Sequence, residues 1–361
     1  MRKLLAYYIF LSALCCSIVT QAQLFPKLGA QRAGISTLTF LKLDISPRAE
    51  AMGGAGISSK GDAYASGINP AVITDVKTSS FAVSSKVLSG GLTNSFVGFN
   101  YLNKKNNYFG LNMTYLNAGN MEERTVFQPS GTGNYVYAYN MAIGISYAKV
   151  LSDFFSLGVS AKYIREQLGQ FGANTVGIDL GFLYKTDFKD LRFAVVLQSF
   201  GPNSQVKGIQ DQTVYYNVNN STDPQPLSGV FKMGVSMIPY KTELKQLTVE
   251  LQLNHPNDNA ENLALGAEYM YLKVLRLRAG YRVNVKDFDY PTAGIGLNSR
   301  IGRLPLTIDY AFSAARSLGI MHNIGFTIQL SNPDNTSTSE LYRGFDRNSA
   351  LALSQNLTNK R

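Results

Sequence analysis

The sequence predicts an all-β fold, an antiparallel transmembrane β-barrel of about fourteen strands with an N-terminal plug (a hatch) inside its lumen. Three observations lead to this prediction. Segments of about ten residues alternate apolar with small or polar side chains from Thr78 to Leu330, and the connections between them differ in length in a regular way. No later segment has the roughly 18 uninterrupted apolar residues that a membrane-spanning helix needs.

The alternation is clearest in the segment Gln246–Asn254, where leucine and valine occupy every second position and polar residues occupy the others. Successive side chains of a strand point to opposite faces, so such a segment has one apolar face and one polar face. Fourteen segments of this kind are centred near residues 83, 97, 112, 142, 160, 179, 195, 233, 250, 267, 279, 295, 309 and 325.

The connections provide an independent argument for a barrel. They are short after the even-numbered segments, as at Asn103–Asn107 and Leu151–Phe154. They are long after several odd-numbered ones, notably Asn117–Asn134 and Gly201–Leu227. Outer-membrane barrels have short periplasmic turns and longer external loops, whereas a soluble sandwich has no reason to sort its loops in this way.

The N-terminus resembles a secretory signal peptide, predicted over residues 1–22, because Arg2 and Lys3 precede an apolar run from Leu4 to Val19. Both cysteines lie in this stretch, so we expect a fold without disulfides. Residues 23–77 are then the N-terminal extension and plug, residues 78–330 the barrel, and residues 331–361 a polar tail. With an even strand number, both termini are expected on the periplasmic side of a Gram-negative outer membrane.

The plug is predicted from the glycine- and alanine-rich stretch Leu41–Ala71, which has no clean period. By itself this stretch also fits an ordinary loop. The polar faces of the strands, however, are rich in glycine, which often marks a close approach by another backbone. The plug residues that we single out are Arg48, Met52, Gly53, Gly54, Gly56, Asn69 and Pro70, and we expect Arg48 to meet a carboxylate and the three glycines to lie against the barrel wall.

Charged residues on the inward faces predict a network in the lumen, because opposite charges on neighbouring strands can pair. Its members are Glu250, Glu268, Arg276, Arg278, Arg282 and Asp309. The network either anchors the plug, through groups such as Asp44, Arg48 and Glu50, or lines a polar passage, and we favour the first alternative.

The sequence contains no clear motif for catalysis or for binding a cofactor. The two histidines, His255 and His322, are far apart and belong to no metal-spaced cluster. Gly54-Ala55-Gly56 begins like a dinucleotide loop but lacks the third glycine and a βαβ context. The formal charge of +10 is scattered along a chain that is addressed away from nucleic acid. We therefore expect neither an enzyme, nor a cofactor or metal, nor a nucleic-acid partner.

Part of the plug stretch resembles a known family. Phe40–Leu43, Pro47–Ala55, Asp62-Ala63 and Asn69–Ala71 are similar to the N-terminal signature of the PorV/PorQ family, whose barrels resemble the FadL long-chain fatty-acid transporters. The resemblance implies a fourteen-stranded outer-membrane barrel with a hatch. It also implies a role in the type IX secretion system, where such members bind the C-terminal signal domains of exported cargo and associate with the translocon barrel or the attachment complex.

Two functions follow as hypotheses. The first is a non-enzymatic secretion component, embedded in outer-membrane lipid, that binds cargo or partner proteins through its long loops. The loop residues that we expect to take part are Asn117, Phe127, Pro129, Pro202, Tyr215 and Tyr216. The alternative is a FadL-like channel for hydrophobic solutes, which requires an apolar pocket between hatch and wall.

Overall fold

The fold was analysed in a computed structural model, which describes residues 34–103, 107–207, 223–286, 290–302, 304–316 and 319–330. The predicted signal peptide, the C-terminal tail, Tyr215 and Tyr216 lie outside these residues. No helix among the described residues is long and apolar enough to cross a membrane.

Fourteen antiparallel strands close into one barrel, in which each strand pairs with its neighbours in sequence and β1 pairs with β14. This confirms the predicted barrel. The strands are β1 Ser80–Val87, β2 Thr93–Asn103, β3 Asn107–Glu122, β4 Tyr135–Val150, β5 Phe155–Leu168, β6 Phe171–Lys185, β7 Arg192–Phe200, β8 Val230–Lys241, β9 Lys245–Pro256, β10 Asn262–Tyr271, β11 Leu275–Val283, β12 Thr292–Ile301, β13 Leu304–Ala315 and β14 Gly319–Gln329.

The outer and inner faces of the barrel wall differ in solvent exposure, as the alternation in the sequence predicts. In β4, Ile145 on the outer face is 65% exposed, whereas Gly144 and Ser146 on either side of it are buried on the inner face. A large apolar side chain that faces outward from a closed barrel is stable when lipid surrounds the wall. The sequence pattern thus separates a lipid-facing surface from a lumen-facing one.

One predicted boundary was wrong. The connection between β3 and β4 spans residues 123–134, because β3 continues to Glu122, and Asn117 lies within the strand, paired with Tyr139. The extension from Asn117 to Glu122 consists of small and polar residues apart from Met121. It therefore lacks the apolar alternation by which strands were recognised.

The two ends of the barrel are named here by their connections. The short-turn end carries the connections that follow the even-numbered strands, such as residues 151–154 between β4 and β5. The long-loop end carries those that follow the odd-numbered strands, including residues 123–134 and 201–229.

Residues 34–77, called the N-terminal segment below, contain two short α-helices, α1 Pro47–Ala51 and α2 Ala65–Ile68. They also contain two 3-10 helices, Thr39–Lys42 and Pro70–Asp75. Ser46 caps α1, since its hydroxyl accepts a hydrogen bond from the Ala49 amide, and Pro47 occupies the first helical position, where its missing amide hydrogen costs nothing.

The segment extends from one end of the barrel to the other. Thr37 pairs with Leu227 at the long-loop end, whereas Asp75 forms an ion pair with Lys185 at the short-turn end. The last described residue, Leu330, bonds to Ser79 at the short-turn end. The described chain thus begins at the long-loop end and finishes at the short-turn end, and the predicted side of the two termini concerns residues outside the described part of the chain.

Candidate functional site between the N-terminal segment and the wall

Inward glycines of the strands lie where the N-terminal segment approaches the wall. A methyl group added at Gly266 would lie 2.6 Å from the Met52 Cβ atom, and one at Gly294 would lie 2.5 Å from that of Ala51. The predicted alternation places ten glycines on the polar faces of the strands. Eight of them face atoms of the N-terminal segment: Gly98, Gly110, Gly158, Gly234, Gly266, Gly280, Gly294 and Gly325. The other two, Gly144 and Gly296, face side chains of the wall itself.

The three glycines singled out in the segment have different surroundings. Gly53, with a φ of +72°, lies against the backbone of Tyr281, so an added methyl group would lie 2.8 Å from the Tyr281 nitrogen. Gly54, with a φ of +86°, faces the Arg282 guanidinium. Gly56 does not face the wall as expected, because its nearest neighbour is the Ala49 Cβ atom of the same segment.

A chain of buried ion pairs connects α1 to three strands of the wall. The Arg48 Nε atom lies 3.1 Å from Glu268 of β10, which also pairs with Arg278 of β11 at 2.7 Å. Arg278 in turn reaches Asp309 of β13 at 2.6 Å. Because unpaired buried charges are costly, each member of this chain needs the others in place.

Glu50 is the most deeply buried acid of α1 and is fully shielded from solvent. It pairs with Lys86 of β1 at 2.8 Å, accepts a hydrogen bond from Asn323 of β14 at 2.8 Å and accepts another from Ser313. The sequence suggested Glu50 only as a possible anchor of the plug. Nothing in the pattern around it predicted three partners on the wall.

Arg282 holds a separate part of the segment. It forms an ion pair with Asp44, and its Nε atom donates to the Gly53 carbonyl at 2.8 Å. Burial alone would raise the pKa of Asp44, but the charges of Arg282, Lys86 and Lys232 lower it below its ordinary value. Asp44 is therefore held as a carboxylate.

Three members of the predicted network lie outside the chain of buried ion pairs: Glu250, Arg276 and Arg282, the last of which pairs with Asp44. Glu250 accepts hydrogen bonds from the Ser58 amide at 3.0 Å and the Ser58 hydroxyl at 2.7 Å, and another from Ser59. Arg276 forms no ion pair within 4 Å with any described residue, and its Nε atom is buried without a hydrogen bond. The wall charges thus form separate contacts with different turns of the segment.

Asn69 and Pro70 join α2 to the second 3-10 helix. The Asn69 side chain accepts from the Ala71 amide at 3.0 Å and donates to the Ile57 carbonyl at 2.9 Å. Gly158 and Gly181 of the wall leave room for Pro70. Met52, at the end of α1, is completely buried and faces Gly266 and Gly280.

At the long-loop end, the segment bonds to two connections. Thr37 exchanges backbone hydrogen bonds with Pro226 and Ser228, at 3.0 and 3.2 Å, and Lys42 pairs with Asp258 at 2.6 Å. Burial alone would raise the pKa of Asp258, but hydrogen bonds from Lys42 and Ser36 and the charge of Lys42 lower it below its ordinary value.

The described residues that were predicted to bind partners through the loops are mostly exposed. Phe127 is 95% exposed at the tip of the β3–β4 connection, beside Val126 at 93%. Pro129 and Pro202 are also exposed. The tip is ordered, since Glu123 accepts hydrogen bonds from Thr132 and Asn134 at its base.

A small cavity, with a volume of about 50 Å³ for the centres of water-sized spheres, lies between residues 40–46 of the segment and strands β3, β4, β5, β7 and β8. Phe40, Leu41 and Leu43 contribute apolar surface. Four charged side chains also line it: Lys42, Asp44, Lys162 and Lys232. It is therefore a mixed cavity with a charged side. No cluster of three metal-ligating side chains occurs among the described residues.

Solved structures of other proteins share the fold of this barrel. The chain is similar to a structure described as "CymD monoaromatic hydrocarbon channel", with a TM-score of 0.54 and 12% identity over 82% of this chain and 99% of that one. It is also similar to the toluene transporter TbuX of Ralstonia pickettii, with a TM-score of 0.53 and 13% identity over 81% of this chain and 100% of that one. At such identities the likeness concerns the fold alone, a closed antiparallel β-barrel.

A family model matches the first part of the chain. Residues 27–191 match the family described as "Type IX secretion system protein PorV", a range that includes the N-terminal segment and strands β1 to β6. This confirms the resemblance to PorV/PorQ proteins that residues 37–71 predicted. No curated protein matches the chain.

Proposed function

We propose that the protein is a non-enzymatic outer-membrane component of the type IX secretion system, in which the N-terminal segment plugs the lumen and connections at the long-loop end bind cargo or partner subunits. The observation that carries this proposal is the set of buried ion pairs between α1 and the wall. Arg48 and Glu50 together contact strands β1, β10, β13 and β14. A segment fixed by these ion pairs is expected to keep the lumen closed. The protein would then act by binding other proteins at its outer surface.

The orientation follows from the connections. Longer loops of such barrels face the exterior and shorter turns the periplasm. The long-loop end would then be at the cell surface, where exported cargo emerges. Within it, the β3–β4 tip presents Val126 and Phe127 on an ordered hairpin, and large exposed apolar side chains commonly mark contact sites.

The channel alternative predicts an apolar pocket between hatch and wall. The cavity found there carries Lys42, Asp44, Lys162 and Lys232, a poor lining for a hydrocarbon, since burying charge beside an apolar ligand is unfavourable. The solved neighbours described as hydrocarbon channels support the alternative only through their fold. We therefore favour the secretion role.

Purification from native membranes in mild detergent tests the proposal. A tagged wild-type protein should bring secretion subunits or cargo with it. Phe127→Ser should weaken the interaction about 30-fold and reduce that yield accordingly, because an aromatic anchor at an interface is commonly worth about 2 kcal/mol. Phe188→Ser is the matched control, since Phe188 is 67% exposed at the short-turn end.

Equal capture by Phe127→Ser and wild type would exclude the hairpin as the contact. If the wild type captured no secretion protein and instead supported uptake of hydrophobic solutes in reconstituted vesicles, the channel alternative would replace the proposal.

A further inference from the structure

The cavity between the N-terminal segment and strands β3, β4, β5, β7 and β8 contains more cations than acids. Its wall side is formed by Asn112, Thr114, Ala142, Lys162, Gln198 and Lys232. The segment adds Lys42 and Asp44. Three lysines and one aspartate therefore line the same cavity. What the cavity can bind depends on which of these charges already has an ion-pair partner in the protein.

Most of these charges already have partners. Lys42 pairs with Asp258 at 2.6 Å, Lys162 pairs with Asp179 at 2.5 Å, and Asp44 pairs with Arg282. Two amides that line the cavity are also engaged. Asn112 donates to the Ser66 carbonyl at 3.1 Å and Gln198 to that of Ile68 at 2.6 Å, so both tie the segment to the wall.

Lys232 of β8 is different. Its side chain is partly buried in the cavity, and no carboxylate of the described part of the chain lies within 4 Å of its ammonium group. Removing an ammonium from bulk water costs several kcal/mol unless an opposite charge compensates it. A wall that only had to contact the segment would be more stable with an apolar residue at this position.

We propose that this cavity binds one small oxyanion, a carboxylate or a phosphate, with Lys232 as its principal charge partner. Lys162 keeps ammonium hydrogens that its pair with Asp179 does not use, and the Thr114 hydroxyl lines the same space. The bound anion neutralises the unpaired charge beside the segment. This site is independent of the secretion role, since it needs neither the long-loop end nor a protein partner.

Titration calorimetry of the full-length protein in detergent, with sodium acetate and sodium phosphate at constant ionic strength, tests the site. The wild type should bind one of the two anions saturably, at one per chain. Lys232→Met should weaken that binding at least tenfold. Lys241→Met, on the same strand but at the exposed short-turn end, should bind like the wild type.

Lys232→Arg keeps the charge and should retain binding, and heat-modifiable migration in gels establishes that each variant is folded. The anion that gives saturable heat identifies the ligand chemistry as carboxylate or phosphate. The proposal is wrong if the wild type binds neither anion, or if folded Lys232→Met binds as tightly as the wild type.

Discussion

At the scale of single residues, the inward glycines determine how closely the N-terminal segment can approach the wall. Gly280 of β11 is the sharpest case, because its α-carbon lies directly against the backbone of Met52 and Gly53. Backbone atoms cannot move aside as a flexible side chain can. Any side chain at this position must displace the segment or prevent the barrel from closing around it.

We predict that Gly280→Val impairs assembly, because overpacking at a rigid contact costs about 1–3 kcal/mol or more. The folded fraction on unheated gels should fall, and the segment should become accessible to protease. Ala279→Val, one residue away on the lipid-facing side, is the control and should fold normally. Normal folding and protection in Gly280→Val would refute tight packing here.

Asp258 provides a pH-dependent contact at the long-loop end. Its pKa is lowered in the folded protein, so its ion pair with Lys42 stabilises the fold fully above the ordinary value of about 4 and is lost as the pH falls through the lower folded value.

The protection factor of residues 36–42 against hydrogen exchange, which corrects for the pH dependence of the intrinsic exchange rate, should therefore stay constant from neutral pH to about 4 and fall below it. Asp258→Asn should lower this protection above about pH 4, by an amount on the order of 1 kcal/mol in opening free energy. If Asp258→Asn kept the same pH dependence as the wild type, another acid would be responsible.

At the scale of elements, α1 is a helix of five residues that contacts four strands of the barrel through two charges. So short a helix is not stable by itself, and tertiary contacts hold it. The pair Glu50–Lys86 is buried on both sides, since the two residues are 0% and 3% exposed.

Glu50→Gln should destabilise the barrel by about 3–5 kcal/mol, because it leaves Lys86 buried without a counter-charge. The double variant Glu50→Met/Lys86→Met should recover part of that loss, since two apolar groups need no compensation. Urea unfolding measures the loss in Glu50→Gln, and the same measurement on the wild type, Glu50→Met, Lys86→Met and the double variant gives the coupling. Additive single losses would show that the pair does not act as one unit.

The sequence predicted the strands well and the segment's contacts only in part. Alternation with a period of two locates every strand whose outer face meets lipid, and all fourteen predicted centres lie within observed strands. The last part of β3, from Asn117 to Glu122, was not predicted because its small and polar residues, with Met121 alone among them, do not alternate with apolar ones.

The charge contacts could not be paired from the sequence, because the pairing depends on how the segment folds within the lumen. Glu250 shows this. It shares the inward face with Glu268, yet it meets Ser58 and Ser59, whereas Glu268 meets Arg48. The same limit applies to Gly56, whose neighbour is Ala49 of its own segment.

At the scale of the whole molecule, the N-terminal segment connects the two ends of the barrel. Thr37 and Lys42 attach it to connections of the long-loop end, and Asp75 pairs with Lys185 and Arg192 at the short-turn end. A fourteen-stranded barrel is too wide for its own side chains to fill. In our account, the segment fills that space and leaves the outer surfaces for binding.

Ion conductance across a planar bilayer tests this central claim most directly. The wild-type protein should insert without opening steady conductance steps, whereas a variant lacking residues 34–61 should open a water-filled pore with steps of uniform size. Steady conductance by the wild type at the level of that variant would contradict the account, because it would mean that the N-terminal segment does not close the lumen.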